Sequence, residues 1–293
     1  RYIMKLKLGI PKGSLQEKTV QIFKKAGFNI SLTPRSYFPA VDDKELDLVM
    51  LRAQEISYYV EVGALDCGIT GEDWVRENNS DVVRAAEFIY AKQQMVPVRW
   101  VLAVKENSKI KTVKGLDGRR IATELVNVTK SYLKNNGVKA DVEFSWGATE
   151  VKVATGMVDA IVELTETGQS LKRNNLKIID TVCDSTTKLI VNKKSWKDSW
   201  KKSKIESLTI LLKGALNAEF KVGLKMNVSK KNIDSIFKIL PAMRRPTISS
   251  LAEEDWFAVE TIVEEAVVRD LIPKLRQCGA EGIIEYPLNK VIS

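Results

Sequence analysis

The sequence predicts a two-lobed α/β core followed by a small βαββαβ module. Three observations lead there. Strand and helix patterns alternate from the N-terminus, the alternation restarts near Val96 as a second block, and the texture changes at Ser195. At Ser195 one long helical stretch introduces four further strands and two helices.

In the first block, Lys5–Ile10 reads as a strand and Pro11-Lys12-Gly13-Ser14 as a turn. Leu15–Ala26 is a helix with Val20, Phe23 and Ala26 at helical spacing, closed by Gly27. A short apolar strand at Leu46–Leu51, a helix at Ala53–Val62 and a strand at Asp66–Thr70 follow, so a parallel sheet covered by helices is expected.

The second block offers strands at Arg99–Val104, Arg120–Thr123, Asp141–Phe144 and Val158–Leu164, with helices at Val128–Asn135 and Ala148–Thr155. Leu176–Val182 and Lys188–Asn192 are strands able to run back into the first block. A chain that crosses twice between two lobes is periplasmic-binding-protein-like (type II), with ligands expected in the cleft at strand C-termini. Ser195–Glu219 is expected as one helix, with Ile205, Leu208, Leu212, Ala215 and Leu216 on one stripe. The remainder is ferredoxin-like (ACT-like), a module suited to regulation or to dimerisation. The expected division is residues 1–95 with 187–218, residues 96–186, and residues 219–293.

Composition narrows the chemistry. The chain of 293 residues contains no histidine, which excludes Ser-His and Cys-His catalysis and a histidine general base. Three widely spaced cysteines suggest neither a metal site nor a disulfide framework, so a cytoplasmic protein is expected. No apolar run approaches a membrane span, and the first four residues do not read as a signal peptide. A net charge of +9 suits anionic ligands, but the lysines are scattered without interleaved aromatics, so nucleic acid is not an expected partner.

The segment 150–171 is the most informative. A buried strand, Ala160-Ile161-Val162, ends in Glu163 and is followed by hydroxyls around one glycine and then a helix start. Glycine lets the backbone approach a ligand, helix-start amides attract phosphate, and a carboxylate accepts bonds from ribose hydroxyls. The pattern fits a sugar-phosphate cradle, and equally a surface turn with ordinary capping residues.

The same stretch resembles the signature of the ATP phosphoribosyltransferase family, which runs from a Glu through a Gly to Ile-x-Asp-Leu-x-x-Thr-Gly-x-Thr-Leu. Val158 replaces a small residue, Glu163 an Asp and Ser170 a Thr; the last two keep the chemical group. Further landmarks are Gly9-Ile10-Pro11-Lys12-Gly13-Ser14-Leu15, Leu51-Arg52, Asp66–Asp73, Arg120–Thr123, Pro246–Ser249 and Gly279–Gly282. A prephenate dehydratase would share the architecture, but its Thr-Arg-Phe motif does not occur here.

The resemblance implies the first step of histidine biosynthesis, in the long form with its own regulatory domain. It implies phosphoribosyl pyrophosphate on Glu150, Glu163, Thr165, Glu166, Thr167, Gly168, Gln169 and Ser170. ATP is implied on Lys12, Gly13, Ser14, Arg52, Gly71, Glu72 and Asp73, with Lys12, Arg52 and Glu163 in catalytic roles. It further implies Mg²⁺ with the pyrophosphate or triphosphate groups, histidine and AMP as inhibitors, and a homo-oligomer from dimer to hexamer. Thr247, Ser249, Ser250, Gly279 and Ala280 are the residues expected to meet histidine.

Overall fold

The computed structural model describes residues 3–33, 37–90, 96–241 and 246–292. They form two compact units, Arg1–Gln21 with Phe28–Thr209 and Ile22–Gly27 with Ile210–Ser293. Residue 95, where the sequence places a lobe boundary, lies outside the described residues.

The chain begins with β1 (Leu6–Lys12), α1 (Gln16–Ala26), whose residues from Ile22 on group with the smaller unit, a short pair β2 (Ile30–Ser31) and β3 (Ala40–Val41), and β4 (Leu46–Arg52). Next come α2 (Ala53–Glu61), β5 (Cys67–Gly71), α3 (Glu72–Glu77) and β6 (Val83–Phe88). The second lobe holds β7 (Val98–Lys105), β8 (Arg120–Thr123), α4 (Val126–Asn135), β9 (Asp141–Phe144) and α5 (Thr149–Thr155). It continues with β10 (Ala160–Thr165), α6 (Gln169–Arg173) and β11 (Leu176–Ser185), after which β12 (Thr187–Val191) returns to the first lobe.

The first sheet has the order β4-β1-β5-β12-β6 and the second the order β9-β8-β10-β7-β11. Both follow one rule: second, first, third, inserted, fourth. In each sheet the inserted strand, β12 or β7, runs antiparallel to both neighbours, while the first three strands are parallel. This is the two-lobed, doubly crossed core expected from the sequence. Of the two strands expected to run back, only β12 does so. β11 stays in the second lobe because it pairs with β7 along its length, and the chain turns between lobes at Thr186.

Apolar strands buried on both faces make each lobe's core. Leu6, Leu8, Leu48 and Ile69 serve the first lobe; Leu102, Ile121 and Val162 serve the second. Gly68 in β5 allows α2 to lie close, since a Cβ there would overlap the buried Ile56 side chain.

The long helix expected over Ser195–Glu219 is two helices, α7 (Lys193–Lys197) and α8 (Ser199–Asn217). Asp198 separates them: it is extended, and its Oδ1 accepts the Lys201 N–H at 2.9 Å as an N-cap. The smaller unit then forms β13 (Lys221–Ser229), α9 (Ile233–Ile239), β14 (Thr247–Ser250), β15 (Trp256–Glu264), α10 (Glu265–Gln277) and β16 (Ala280–Pro287). Its antiparallel sheet has the order β14-β15-β13-β16, the ferredoxin-like arrangement, over a core including Leu224, Val259 and Leu275. Among the described residues no helix is long and apolar enough to cross a membrane.

Replacing Gly68 by Ala is expected to force α2 away from the sheet and to cost about 1–3 kcal/mol, as overpacking does. Thermal denaturation checks this, and an unchanged Tm would refute the close-packing role of Gly68.

Candidate functional site

β1 ends in Lys12 and β4 in Arg52, and these residues are direct partners in the parallel ladder. Two cations therefore stand side by side at the C-terminal rim of the first lobe. The Lys12 ammonium lies 3.9 Å from the centre of the Tyr37 ring, a cation–π contact that restrains a flexible side chain. Gly13, at φ +99°, makes the turn into Ser14 that a side chain would strain. Arg52 is the extended residue before α2, and the Thr70 hydroxyl donates to the Ala53 carbonyl at 2.6 Å, fixing the start of that helix.

The opposite rim is acidic. Glu124 directly follows β8, and Glu163 lies near the end of the neighbouring β10. Burial pushes the Glu163 carboxyl up to about 7, and the Glu150 charge adds to this. Bonds from the Thr149 hydroxyl and the Leu164 N–H oppose the rise without cancelling it. Glu163 therefore titrates near neutrality.

After β10 the chain forms a self-bonded turn. The Gly168 N–H donates to Thr165 Oγ1 at 2.7 Å and the Gln169 N–H to Thr167 Oγ1 at 3.4 Å. Gly168 has φ +76°, and the Ser170 hydroxyl donates to Glu150 Oε1 at 3.3 Å. The hydroxyls expected to face a phosphate here shape the turn itself.

A cleft of about 820 Å³ separates the two rims. It brings together Lys12, Gly13, Ser14, Arg52, Gly71 and Asp73 from one lobe with Glu163 and Glu166 from the other. Glu150, Thr165, Thr167, Gly168, Gln169 and Ser170 do not line it, although Glu150 acts on Glu163 electrostatically.

Glu72 departs from expectation. It does not line the cleft, because Arg84 binds its carboxylate through two nitrogens at 2.9 Å and Arg76 adds a bond at 3.3 Å. Burial would raise its pKa, but the two guanidinium groups outweigh that and hold it below the usual value. Asp73 does line the cleft, yet its carboxylate is committed. Oδ2 accepts the Trp100 indole N–H at 2.7 Å, Oδ1 the Trp74 N–H at 3.0 Å, and burial raises its pKa despite both bonds. Gly71 serves this approach, since a Cβ there would overlap Asp73 Oδ1.

In the smaller unit, Thr247, Ser249 and Ser250 lie on β14, an exposed edge strand. Gly279 and the buried Ala280 lie at the start of β16, on the opposite edge of the same sheet. Within one chain these residues do not meet.

The cleft also holds residues that the sequence did not single out: Tyr37, Gln54, Trp100, Glu124 and Thr186. Glu124 was findable, for it stands at a strand C-terminus as Glu163 does. Its partner Gln54, whose Nε2 donates to Glu124 Oε2 from the other lobe at 3.4 Å, carried no local signal.

Comparison with known proteins gives this geometry a family. The model of the family described as "ATP phosphoribosyltransferase" matches residues 52–214, and that of "HisG, C-terminal domain" matches residues 218–290. An ATP phosphoribosyltransferase of Chlorobium phaeobacteroides is 58% identical over 287 residues, covering 98% of this chain and 97% of that protein. One from Thermodesulfovibrio yellowstonii is also 58% identical, covering 98% of each chain. A solved ATP phosphoribosyl transferase (HisG:HisZ) complex from Thermotoga maritima superposes with TM-score 0.61 and 31% identity, covering 71% of this chain and 98% of that one. The chain belongs to the ATP phosphoribosyltransferase family, in the long form that carries its own C-terminal domain.

Proposed function

We propose that the cleft between the two lobes is where this phosphoribosyltransferase joins its substrates, with the donor on the acidic lobe and ATP on the basic one. The reaction is the first of histidine biosynthesis. One observation carries the assignment: Lys12 and Arg52, ladder partners at one rim, face across a single cleft a carboxylate that titrates near neutrality.

In this reading Glu163 accepts hydrogen bonds from the ribose hydroxyls of phosphoribosyl pyrophosphate. The turn from Thr165 to Ser170, with Glu150 and Glu166 beside it, receives the 5-phosphate. Lys12, Gly13, Ser14, Arg52 and Gly71 border the ATP side, with Asp73 contributing through its place on the wall and Glu72 left out. Lys12 and Arg52 neutralise the phosphate charge that develops as pyrophosphate leaves.

The step balances without a general base. The adenine N1 lone pair forms the bond to C1 of the ribose, the C1–O bond breaks, and pyrophosphate departs with the electron pair. A ring-nitrogen lone pair needs no base to uncover it, so a chain without histidine can perform it. Among the described residues no group of three carboxylate or thiol side chains could hold a metal ion. In this reading Mg²⁺ arrives bound to the substrates' phosphates.

Residues 219–293 form the regulatory domain in the same proposal, with histidine and AMP as inhibitors. Placement of Thr247–Ser250 and Gly279–Ala280 on opposite sheet edges favours a histidine site completed by a second copy, in a homo-oligomer of dimers or hexamers. The protein is proposed to work in the cytoplasm.

The direct test is to mix protein, ATP, donor and Mg²⁺ and to follow the absorbance of the N1-ribosylated adenine product. Glu163→Ala is expected to weaken donor binding at least about tenfold in a folded protein, the loss of more than one charge-assisted bond. Unaltered donor affinity would sink the assignment.

The folded-state pKa of Glu163 is raised, so its contribution to stability is full below the unfolded value near 4.5 and is lost as pH rises through about 7. Stability should therefore fall between pH 5 and pH 8, while donor binding strengthens as the carboxylate ionises. Both slopes should flatten in Glu163→Gln, as denaturation and binding titrations across that range would reveal. Deleting residues 219–293 should abolish inhibition by histidine; inhibition that survives would refute the regulatory role.

A further inference from the structure

α3 belongs to the first lobe by its packing. Val75 lies in that lobe's core, Glu72 is held by Arg84, and Asn78 Nδ2 donates to the Gln54 carbonyl at 2.7 Å and to Ser57 Oγ at 2.8 Å. Yet the other side of the same helix is built into the second lobe. The Glu72 N–H donates to the Thr186 carbonyl at 3.0 Å and the Asp73 N–H to Ser185 Oγ at 3.0 Å, at one of the two chain crossings. Asp73 receives the Trp100 indole next to the other crossing, and Trp74 packs edge-to-face on Trp100 at 5.8 Å, against the second lobe's core.

At the far end of α3, Glu77 completes the attachment. Its Oε1 accepts the Asn127 N–H at 2.9 Å and its Oε2 the Val128 N–H at 3.0 Å, while its own carbonyl accepts Asn127 Nδ2 at 3.0 Å. α4 has no cap of its own, since Leu125 at the N-cap offers no side-chain bond. The first turn of a second-lobe helix is thus satisfied by a first-lobe carboxylate, which also suits the helix dipole.

We propose that α3 is a strut that sets the angle between the lobes, and that Glu77 is a positioning residue for phosphoribosyl transfer. Glu77 is absent from the cleft wall and acts through α4. The inference rests on the reading above, in which each lobe holds one substrate. N1 and C1 must then meet at about 3–3.5 Å, and a displacement near 1 Å costs on the order of 100-fold in rate. The donor's ribose and 5-phosphate are held by the second lobe, so its affinity depends on the angle only through Lys12 and Arg52 at the pyrophosphate, far less steeply than the rate does.

The test measures kcat and donor dissociation constant in the full-length protein. Glu77→Ala is expected to lower kcat about 10–100-fold with donor affinity unchanged within about twofold. Glu77→Gln keeps one good acceptor oxygen and should recover a large part of the lost kcat; it also serves as the probe if Glu77→Ala does not fold. Unchanged or increased kcat would overturn the strut, and so would donor affinity falling in step with kcat, the mark of general disruption. Failure of the cleft reading looks different, as donor binding indifferent to Glu163→Ala.

Discussion

The core is organised around a buried carboxylate. Asp73 is only 4% exposed, yet its N–H reaches Ser185 and its Oδ2 reaches Trp100, each beside a point where the chain passes between lobes, while Oδ1 accepts the Trp74 N–H of its own helix. Removing a charge from water costs several kcal/mol unless its bonds are replaced, so these partners are obligatory once the residue is buried. Gly71 beside it and the indole opposite follow from that requirement. Two lobes joined by two crossings gain a defined relation because one oxygen of this first-lobe group is satisfied by a second-lobe indole.

The two walls of the cleft differ in sign for reasons of topology. In parallel ladders the strand C-termini converge on one edge, and residues that follow them point toward the same space. One lobe ends its strands in Lys12 and Arg52, and the other ends them near Glu124 and Glu163. In the proposed reading that polarity helps to orient the substrates, with pyrophosphate toward the cations and ribose hydroxyls toward Glu163. Proximity and charge then carry the chemistry, which suits a chain whose side chains include no imidazole.

Much of this was legible in the sequence, because the signals were local. Apolar strands ended by glycine or charge marked β1, β4, β5 and β10, and the loop after Glu163 announced itself by composition. The less visible parts depend on distant partners. Asp198 splits a helical stripe with no proline or glycine near the break, and the short β6 carries a charged residue near each end. Glu72 and Asp73 were expected as ligands through the family resemblance; the positions of Arg84 and Trp100 show that their carboxylates have other partners. Tyr37 under Lys12 and Gln54 facing Glu124 required a third dimension.

The strand exchange has a consequence for how the chain is made. β5 and β6 are not neighbours; β12 lies between them, and the chain reaches β12 only after the entire second lobe has been laid down. On the ribosome the first lobe therefore waits with two open edges while the second, whose five strands are consecutive in the chain, can close first. The lobe encoded later is the one able to fold earlier, and the nascent first lobe is exposed to misplaced strand pairing until residues 187–191 emerge.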